Sequence, residues 1–416
     1  MLLALALAVP ASAGAQEYDF PLANRFAATV VGTPRAYRAD LPEQVALQDR
    51  ELVVFPDREV PDLFWYTNRL RFGFLAQDKR APLAFVIAGT GAGHDSQKVK
   101  ILVRMFAKIG FHVITLPSPT YENFIVTAST TSVPGLITDD AVDLYRVMQL
   151  AYDQVKDEIQ VTRFHLTGYS LGAAQAAFVA KLDDTEHAFD FERVLMINPP
   201  VSLYNSALTL DRMLADNTPD GVGVSFNRIL AAFAEAYVQE EDTISLNGDF
   251  MYTVYRRRQP SDESLQATIG ISFRIASANM AFTSDVMTKA GYIAPERPPL
   301  TPTTALDGFA AVAMRSTFKN YIDDLFYPYF KARQPDITLD DLIAITSLRS
   351  IEPYLRTSQK IGLMHNADDI IMAPDEIEYL RQVFGDRAVI YPRGGHCGNM
   401  DYRDNVADMI NLFTNR

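Results

Sequence analysis

The segment Gly168-Tyr-Ser-Leu-Gly172 sets a serine between two glycines, directly after the apolar run 161–167 and before an Ala-rich stretch that reaches residue 181. A serine hydroxyl is a poor nucleophile until a positioned base takes its proton, so chemistry at Ser170 calls for a downstream histidine and a carboxylate to orient it. Both are present. His396 stands in Arg393-Gly-Gly-His-Cys-Gly398, where glycines on either side free the backbone to swing an imidazole over the serine. The stretch His365-Asn-Ala-Asp-Asp-Ile-Ile-Met-Ala-Pro374 offers two candidate acids, Asp368 and Asp369. A lone loop histidine is more often simply solvated; the serine turn upstream is what makes His396 a candidate base. Together the three types, in the order Ser, Asp, His, suit acyl transfer through a covalent ester on Ser170.

These residues need particular elements behind them. Glycines two before and two after Ser170 let a strand and the following helix approach where a Cβ would collide, so the hydroxyl projects from the strand end. The helix then aims its N-terminal N–H groups at charge developing on the substrate. The flanking pattern agrees. Residues 83–88 form a continuous apolar run ending in Gly89-Thr-Gly-Ala-Gly93, and residues 96–108 carry apolar side chains at helical spacing. The step repeats with a strand at 111–116 and a helix at 139–157, for which Thr138 is the expected N-cap. It repeats again with the strand at 161–167 and the helix to 181, then a strand at 191–197. After a gap the alternation resumes with a strand at 360–365, a helix at 375–384, a strand at 388–391 and a closing helix at 405–413. Such alternation predicts an α/β fold with a mainly parallel sheet and helices on both faces. Shorter β-rich runs at 51–55, 63–67 and 70–75 predict an antiparallel start to the sheet.

With these motifs the chain resembles the α/β-hydrolase superfamily, in particular its esterase and lipase-like serine hydrolases. The resemblance covers residues 50–200 and 358–416 and implies a nucleophile elbow at Ser170, with His396 as general base. In that family the strand before the acid commonly ends in G-x-x-D followed by apolar residues and proline. Here Asn366 replaces the glycine, and Asp369 takes the acid's place ahead of Ile371, Met372 and Pro374. Asp368 is then a turn residue or a secondary acceptor. The resemblance also implies an oxyanion hole of two backbone N–H groups. One is that of Leu171, and the other lies in the loop after the third strand, where Ala88-Gly89-Thr90 makes Thr90 the expected donor and Gly91 the runner-up.

The implied organisation is a signal peptide over 1–15, an irregular lead-in over 16–50, and the first part of the hydrolase core over 51–200. A mostly helical cap insertion over 201–356 and the second part of the core over 357–416 complete it. Helices are expected in the insertion at 227–238 and 317–333, with a Pro-rich connector at 294–302. Its aromatic and Met residues, among them Phe250, Met251, Tyr252, Phe273, Met280, Phe282, Phe318, Tyr321, Phe326, Tyr327, Tyr329 and Phe330, serve either an apolar acyl pocket or the cap's own core. The insertion's position at the carboxyl edge of the sheet predicts that it folds over Ser170.

Bulk composition narrows the partners. The 416 residues are 48% hydrophobic with a formal net charge of -13, which argues against nucleic acid or an anionic membrane as the main partner. A small-molecule acyl substrate, apolar in character, is expected instead. The apolar run at the N-terminus, followed by small residues with cleavage expected after Ala13 or Ala15, reads as an export signal, although no Lys or Arg precedes it. It is too short to span a bilayer, so the mature chain is expected to carry no transmembrane segment. Cys397 is the only cysteine, which excludes an intramolecular disulfide, and the six histidines show no metal-binding spacing. The loop at residues 89–93 lacks the spacing of a nucleotide fingerprint, so no cofactor is expected, and His94 directly after it is read as exposed. Acyl transfer to an acceptor other than water uses the same triad, and a non-catalytic binding protein uses the same fold; the sequence leaves both beside hydrolysis, with oligomeric state unassigned.

Overall fold

The computed structural model describes residues 18–219 and 248–415, with isolated residues between 221 and 231. The expected leader and, apart from Asn227 and Ala231, the helix expected at 227–238 lie outside the described residues. Among the described residues eight strands form one sheet: β1 (Gln48–Leu52), β2 (Leu70–Leu75), β3 (Ala81–Ile87), β4 (His112–Leu116), β5 (Val161–Tyr169), β6 (Arg193–Ile197), β7 (Ile361–Asn366) and β8 (Ala388–Tyr391). Their spatial order is β1-β2-β4-β3-β5-β6-β7-β8. Strand β2 runs antiparallel to both β1 and β4, and every other pairing is parallel.

The continuous apolar run of β3 follows from burial on two faces. Leu83, Phe85 and Ile87 pack among residues of the helices Ile137–Val155 and Leu171–Glu186. Their alternating neighbours Ala84, Val86 and Ala88 pack on the other side with the helices Gln97–Lys108 and Arg403–Thr414. A sheet covered twice leaves no polar face, so the strand reads as a block rather than an alternation.

Four local expectations are corrected. The first strand lies three residues earlier than expected, at Gln48–Leu52, because Gln-Asp-Arg-Glu-Leu is a mostly exposed edge whose pairing partner is not visible in its own composition. The run at 63–67 is a short 3₁₀ turn over Asp62–Phe64, started by Pro61, and Leu63 and Phe64 are buried against Val126, Ala294 and Leu300 instead of entering the sheet. Thr138 is not an N-cap. Its helix already begins at Ile137, and Asp140 in the first turn accepts the Gly135 N–H at 3.1 Å. Finally, the lead-in contains a helix, α1 (Arg25–Val31), whose N-cap Asn24 accepts the N–H groups of Phe26 and Ala27 at 2.9 and 3.0 Å.

Between β6 and β7, no strand joins the sheet among the described residues. The ends of this segment meet at the sheet's carboxyl edge, where the Leu348 N–H donates to the Val201 carbonyl at 2.9 Å and Ser202 bridges Ser347. Inside it the helix Leu203–Asp216 packs on the long helix Asp262–Thr288, with Gly270 so close to Leu214 that any Cβ would strike backbone. A buried pair, Arg274 with Asp211 at 2.9 Å, ties both helices to the next two, since Arg274 also donates to the Met314 carbonyl and Asp211 accepts the Phe318 N–H. Removing either partner would strand a buried charge, at a cost of about 3–5 kcal/mol. The helical stretch expected at 317–333 is interrupted by a π-turn, Ile322–Phe326, between Phe318–Tyr321 and Tyr327–Arg333. Tyr321 and Tyr329 anchor it to the core by donating to the carbonyls of Pro134 and Thr131 at 2.7 and 2.9 Å.

Candidate active site

Strand β5 ends at Tyr169, and Ser170 follows with φ 55° and ψ −128°, a backbone conformation that costs a non-glycine residue energy and therefore needs close packing to persist. The packing is glycine-dependent. A Cβ on Gly168 would collide with the Gly172 carbonyl, and one on Gly172 would collide with the carbonyls of Ile87 and Ala88. The Ser170 N–H is held by the Ile197 carbonyl at 2.9 Å, which fixes the turn to β6.

His396 Nε2 lies 2.8 Å from Ser170 Oγ, and His396 Nδ1 lies 3.0 and 3.1 Å from the two oxygens of Asp369. The structure thus brings together Ser170, His396 and Asp369, which are separated by up to 226 positions in the chain. With the Nδ1 proton on the Asp369 side, the Nε2 lone pair faces the serine hydroxyl. Asp369 is buried, and its oxygens also accept Asn198 Nδ2–H at 2.8 Å and the Ile371 N–H at 3.1 Å. Burial alone would raise its pKa, but the charge and hydrogen bond of His396, with the Ile371 N–H, outweigh it and hold the carboxyl below its ordinary value. Burial likewise works to lower His396, and the adjacent Asp369 carboxylate overcomes it, so the imidazole is raised. His365 stays neutral in this setting. Its pKa is lowered by burial, its Nδ1 accepts the Asn366 N–H at 2.9 Å, and its Nε2 faces the Pro199 carbonyl at 3.2 Å.

Asp368 does not touch His396. Its Oδ1 accepts the Gly395 N–H at 2.9 Å, tying the turn after β7 to the histidine loop, and burial raises its pKa. The runner-up donor Gly91 is likewise engaged elsewhere, because its N–H donates to Thr120 Oγ1 at 2.8 Å. The N–H groups of Leu171 and Thr90 have no acceptor among the described residues, and both residues line the cavity at Ser170. Gly89 permits this approach, since a Cβ there would meet the Tyr169 ring and Ser170 Cβ. His94, expected to be exposed, is buried at 7% and its Nε2 lies 2.9 Å from Asp49 Oδ1, so it braces β1 instead.

Two supports of the histidine loop carried no sequence signal. Asn366, standing where the resemblance calls for glycine, is fully buried and forms a reciprocal amide pair with Asn399, at 2.9 and 2.6 Å, while donating to the Gly395 carbonyl at 2.8 Å. Helix α1 lies against the other side of the loop. Thr29 Oγ1 accepts the His396 N–H at 2.9 Å, and Cβ atoms on Gly395 or Gly398 would strike the carbonyls of Arg25 or Ala28. Lys98 donates to the Cys397 carbonyl at 3.2 Å from outside. Cys397 itself is buried, with Sγ 3.9 Å from His396 Nε2 and φ 58°.

Ser170 and His396 stand where two hollows meet. The inner one, about 100 Å³, runs under the helical segment between Leu203, Ala207, Phe318, Ile322, Leu342 and Ile343. The outer one, about 820 Å³, carries more polar groups, including Lys98, Glu122, Thr268 and Asn279. Of the twelve aromatic and Met residues named above, Met280, Phe318 and Phe326 line the inner hollow, Met251 the outer, and Phe273 both. Tyr321 and Phe330 are buried in a packing cluster of the helical segment instead, and Phe250 is buried away from both hollows. Among the described residues no group of three or more His, Cys, Asp or Glu could hold a metal ion, and no helix is long and apolar enough to cross a membrane.

The order of strands, the elbow at Ser170 and the sequence of Ser, Asp and His along the sheet are those of the α/β-hydrolase fold. No family model and no curated sequence matches the chain. Among solved structures, the chain is similar to a 2-hydroxy-6-oxo-6-phenylhexa-2,4-dienoate hydrolase from Rhodococcus sp. strain RHA1, at 12% identity and TM-score 0.44, over 89% of this chain and 99% of that one. An epoxide hydrolase from hot-environment metagenomes aligns at 14% identity and TM-score 0.41, over 90% and 100%. The thioesterase domain of the curacin biosynthetic pathway aligns at 14% and 0.38, over 89% and 100%.

Proposed function

We propose that the protein is a serine hydrolase that cleaves a carboxylic ester through an acyl-enzyme on Ser170. The observation that carries this reading is the continuous hydrogen-bonded line from Ser170 Oγ through His396 to Asp369, at 2.8 and 3.0 Å. In the first half-reaction His396 Nε2 takes the hydroxyl proton as Oγ bonds to the substrate carbonyl carbon. The resulting oxyanion receives the N–H groups of Leu171 and Thr90, beside the positive end of the helix Leu171–Glu186. The C–O bond to the alcohol then breaks, and His396 passes its proton to the departing oxygen. In the second half water gives its proton to His396 and its oxygen to the acyl carbon, the bond from that carbon to Ser170 Oγ breaks, and His396 returns the proton to Oγ.

Asp369 holds the imidazole in the required tautomer and stabilises its protonated form. The narrow inner hollow fits an apolar acyl chain, and water exclusion under the helical segment strengthens the oxyanion contacts. The width of the outer hollow also suits an alcohol acceptor in place of water, which is the second reading. Steady-state and burst kinetics with p-nitrophenyl esters test both. Wild type should release a burst of nitrophenol equal to the enzyme concentration, and Ser170→Ala should release none. If ester product exceeds free acid when an alcohol is added at low concentration, acyl transfer displaces hydrolysis as the function. A burst that survives Ser170→Ala would refute the assignment.

A further inference from the structure

The outer hollow does not end at its polar rim. Glu122, Ile275 and Asn279 line it and also line a second hollow of about 380 Å³, whose far walls include Phe64, Trp65, Tyr66, Phe282, Leu306 and Met314. This region exposes apolar surface that the fold leaves uncovered: Trp65 is 67% exposed, Tyr66 50%, Ile275 45% and Leu306 36%. Trp65 and Tyr66 meet edge to face with centroids 5.9 Å apart, and the Tyr66 hydroxyl donates to Glu122 at 2.8 Å.

The direction of the reaction assigns this route to the leaving group. His396 must deliver its proton to the departing oxygen, and the groups that surround the histidine loop, Thr29, Lys98 and Cys397, line the outer hollow and not the inner one. The alcohol side of the ester therefore lies outward, along Glu122 and Asn279, and the acyl side lies in the hollow of about 100 Å³. Taking Ser170 as the nucleophile, we propose that the Trp65 hollow binds the far end of the leaving group. The preferred substrates are then esters of a small acyl group with an elongated alcohol, polar near the ester and apolar at its far end. Aromatic walls with an apolar floor favour an alkyl or aryl terminus.

Trp65 is the chain's only tryptophan, so its emission reports on this hollow directly. The probes are two butyrate esters of tetraethylene glycol, capped at the far end by a methyl or a hexyl group. In the Ser170→Ala variant the hexyl-capped ester should shift Trp65 emission to shorter wavelength in a saturable manner, and the methyl-capped ester should leave it unchanged. In the otherwise wild-type enzyme, Trp65→Ala should lower kcat/KM for the hexyl-capped ester about tenfold, as loss of one large apolar wall does, and change the methyl-capped ester less than about twofold. Trp65 is too exposed for its removal to unfold the chain. Turnover of both esters without an emission response, or an equal loss on both from Trp65→Ala, would overturn the hollow's assignment while leaving Ser170 as nucleophile. Absence of turnover and of covalent labelling at Ser170 would instead overturn the reading on which it rests.

Discussion

Replacing Asn366 with Ala should loosen the histidine loop without touching a reacting atom. The side chain is fully buried and makes three hydrogen bonds, two with Asn399 and one to the Gly395 carbonyl next to His396. Each net bond is worth about 1 kcal/mol, and the Gly395 carbonyl is left buried without its partner, so the loss comes to ~3 kcal/mol. Unfolding entropy of ~2.1 cal/mol/K per residue gives ~0.9 kcal/mol/K for 416 residues, and Tm should fall by about 3–4 °C. The catalytic effect is separable. A shift of about 1 Å in His396 costs up to ~100-fold in rate, so kcat should fall between about tenfold and a hundredfold with KM within about twofold. Differential scanning calorimetry and p-nitrophenyl butyrate kinetics measure the two quantities. Unchanged Tm together with unchanged kcat would refute the claim that the amide pair supports the loop.

Asp369→Asn should lower kcat a thousandfold or more, whereas Asp368→Asn, which loses only the contact to Gly395, should cost far less. Because Asp369 raises His396 and the base works only when deprotonated, the acid limb of kcat/KM should lie above the ordinary imidazole value of about 6.5; residual activity in Asp369→Asn should show a limb moved to lower pH. Ile343→Phe should fill the inner hollow, lowering turnover of butyryl esters at least about tenfold relative to acetyl esters, and an equal effect on both would place the acyl chain elsewhere. Cys397→Ser should keep most activity, since the thiol is 3.9 Å from His396 Nε2 and has no role in the proton path; full loss with normal folding would contradict this.

The sheet was legible because its inner parallel strands β3, β4, β6 and β7 are buried on both faces and announce themselves as apolar blocks. Ser170 was legible for a different reason: its turn forces glycine at 168 and 172, a steric demand that leaves a fixed spacing. The supports of the site left no such trace. The Asn366–Asn399 pair joins residues 33 apart by amide bonds, and neither side chain is distinctive in its own neighbourhood. Helix α1 is seven residues long, too short for its periodicity to stand out, and its stability comes from packing under the loop it holds. Asn198, which donates to Asp369, stands between the end of β6 and two prolines, a setting that marks a strand end and not a contact to an acid. The inner hollow is drawn from positions as distant as Thr90 and Thr346, so its shape exists only once the chain is folded.

Covalent labelling tests the central claim most directly. The native protein is treated with a fluorophosphonate, digested, and the modified residue located by mass spectrometry, with Ser170→Ala and His396→Ala treated in parallel. A hydroxyl activated by His396 at 2.8 Å should carry the whole adduct on Ser170, with no adduct in Ser170→Ala and much slower labelling in His396→Ala. An adduct on another serine, or labelling of Ser170 at the same rate without His396, would contradict the account.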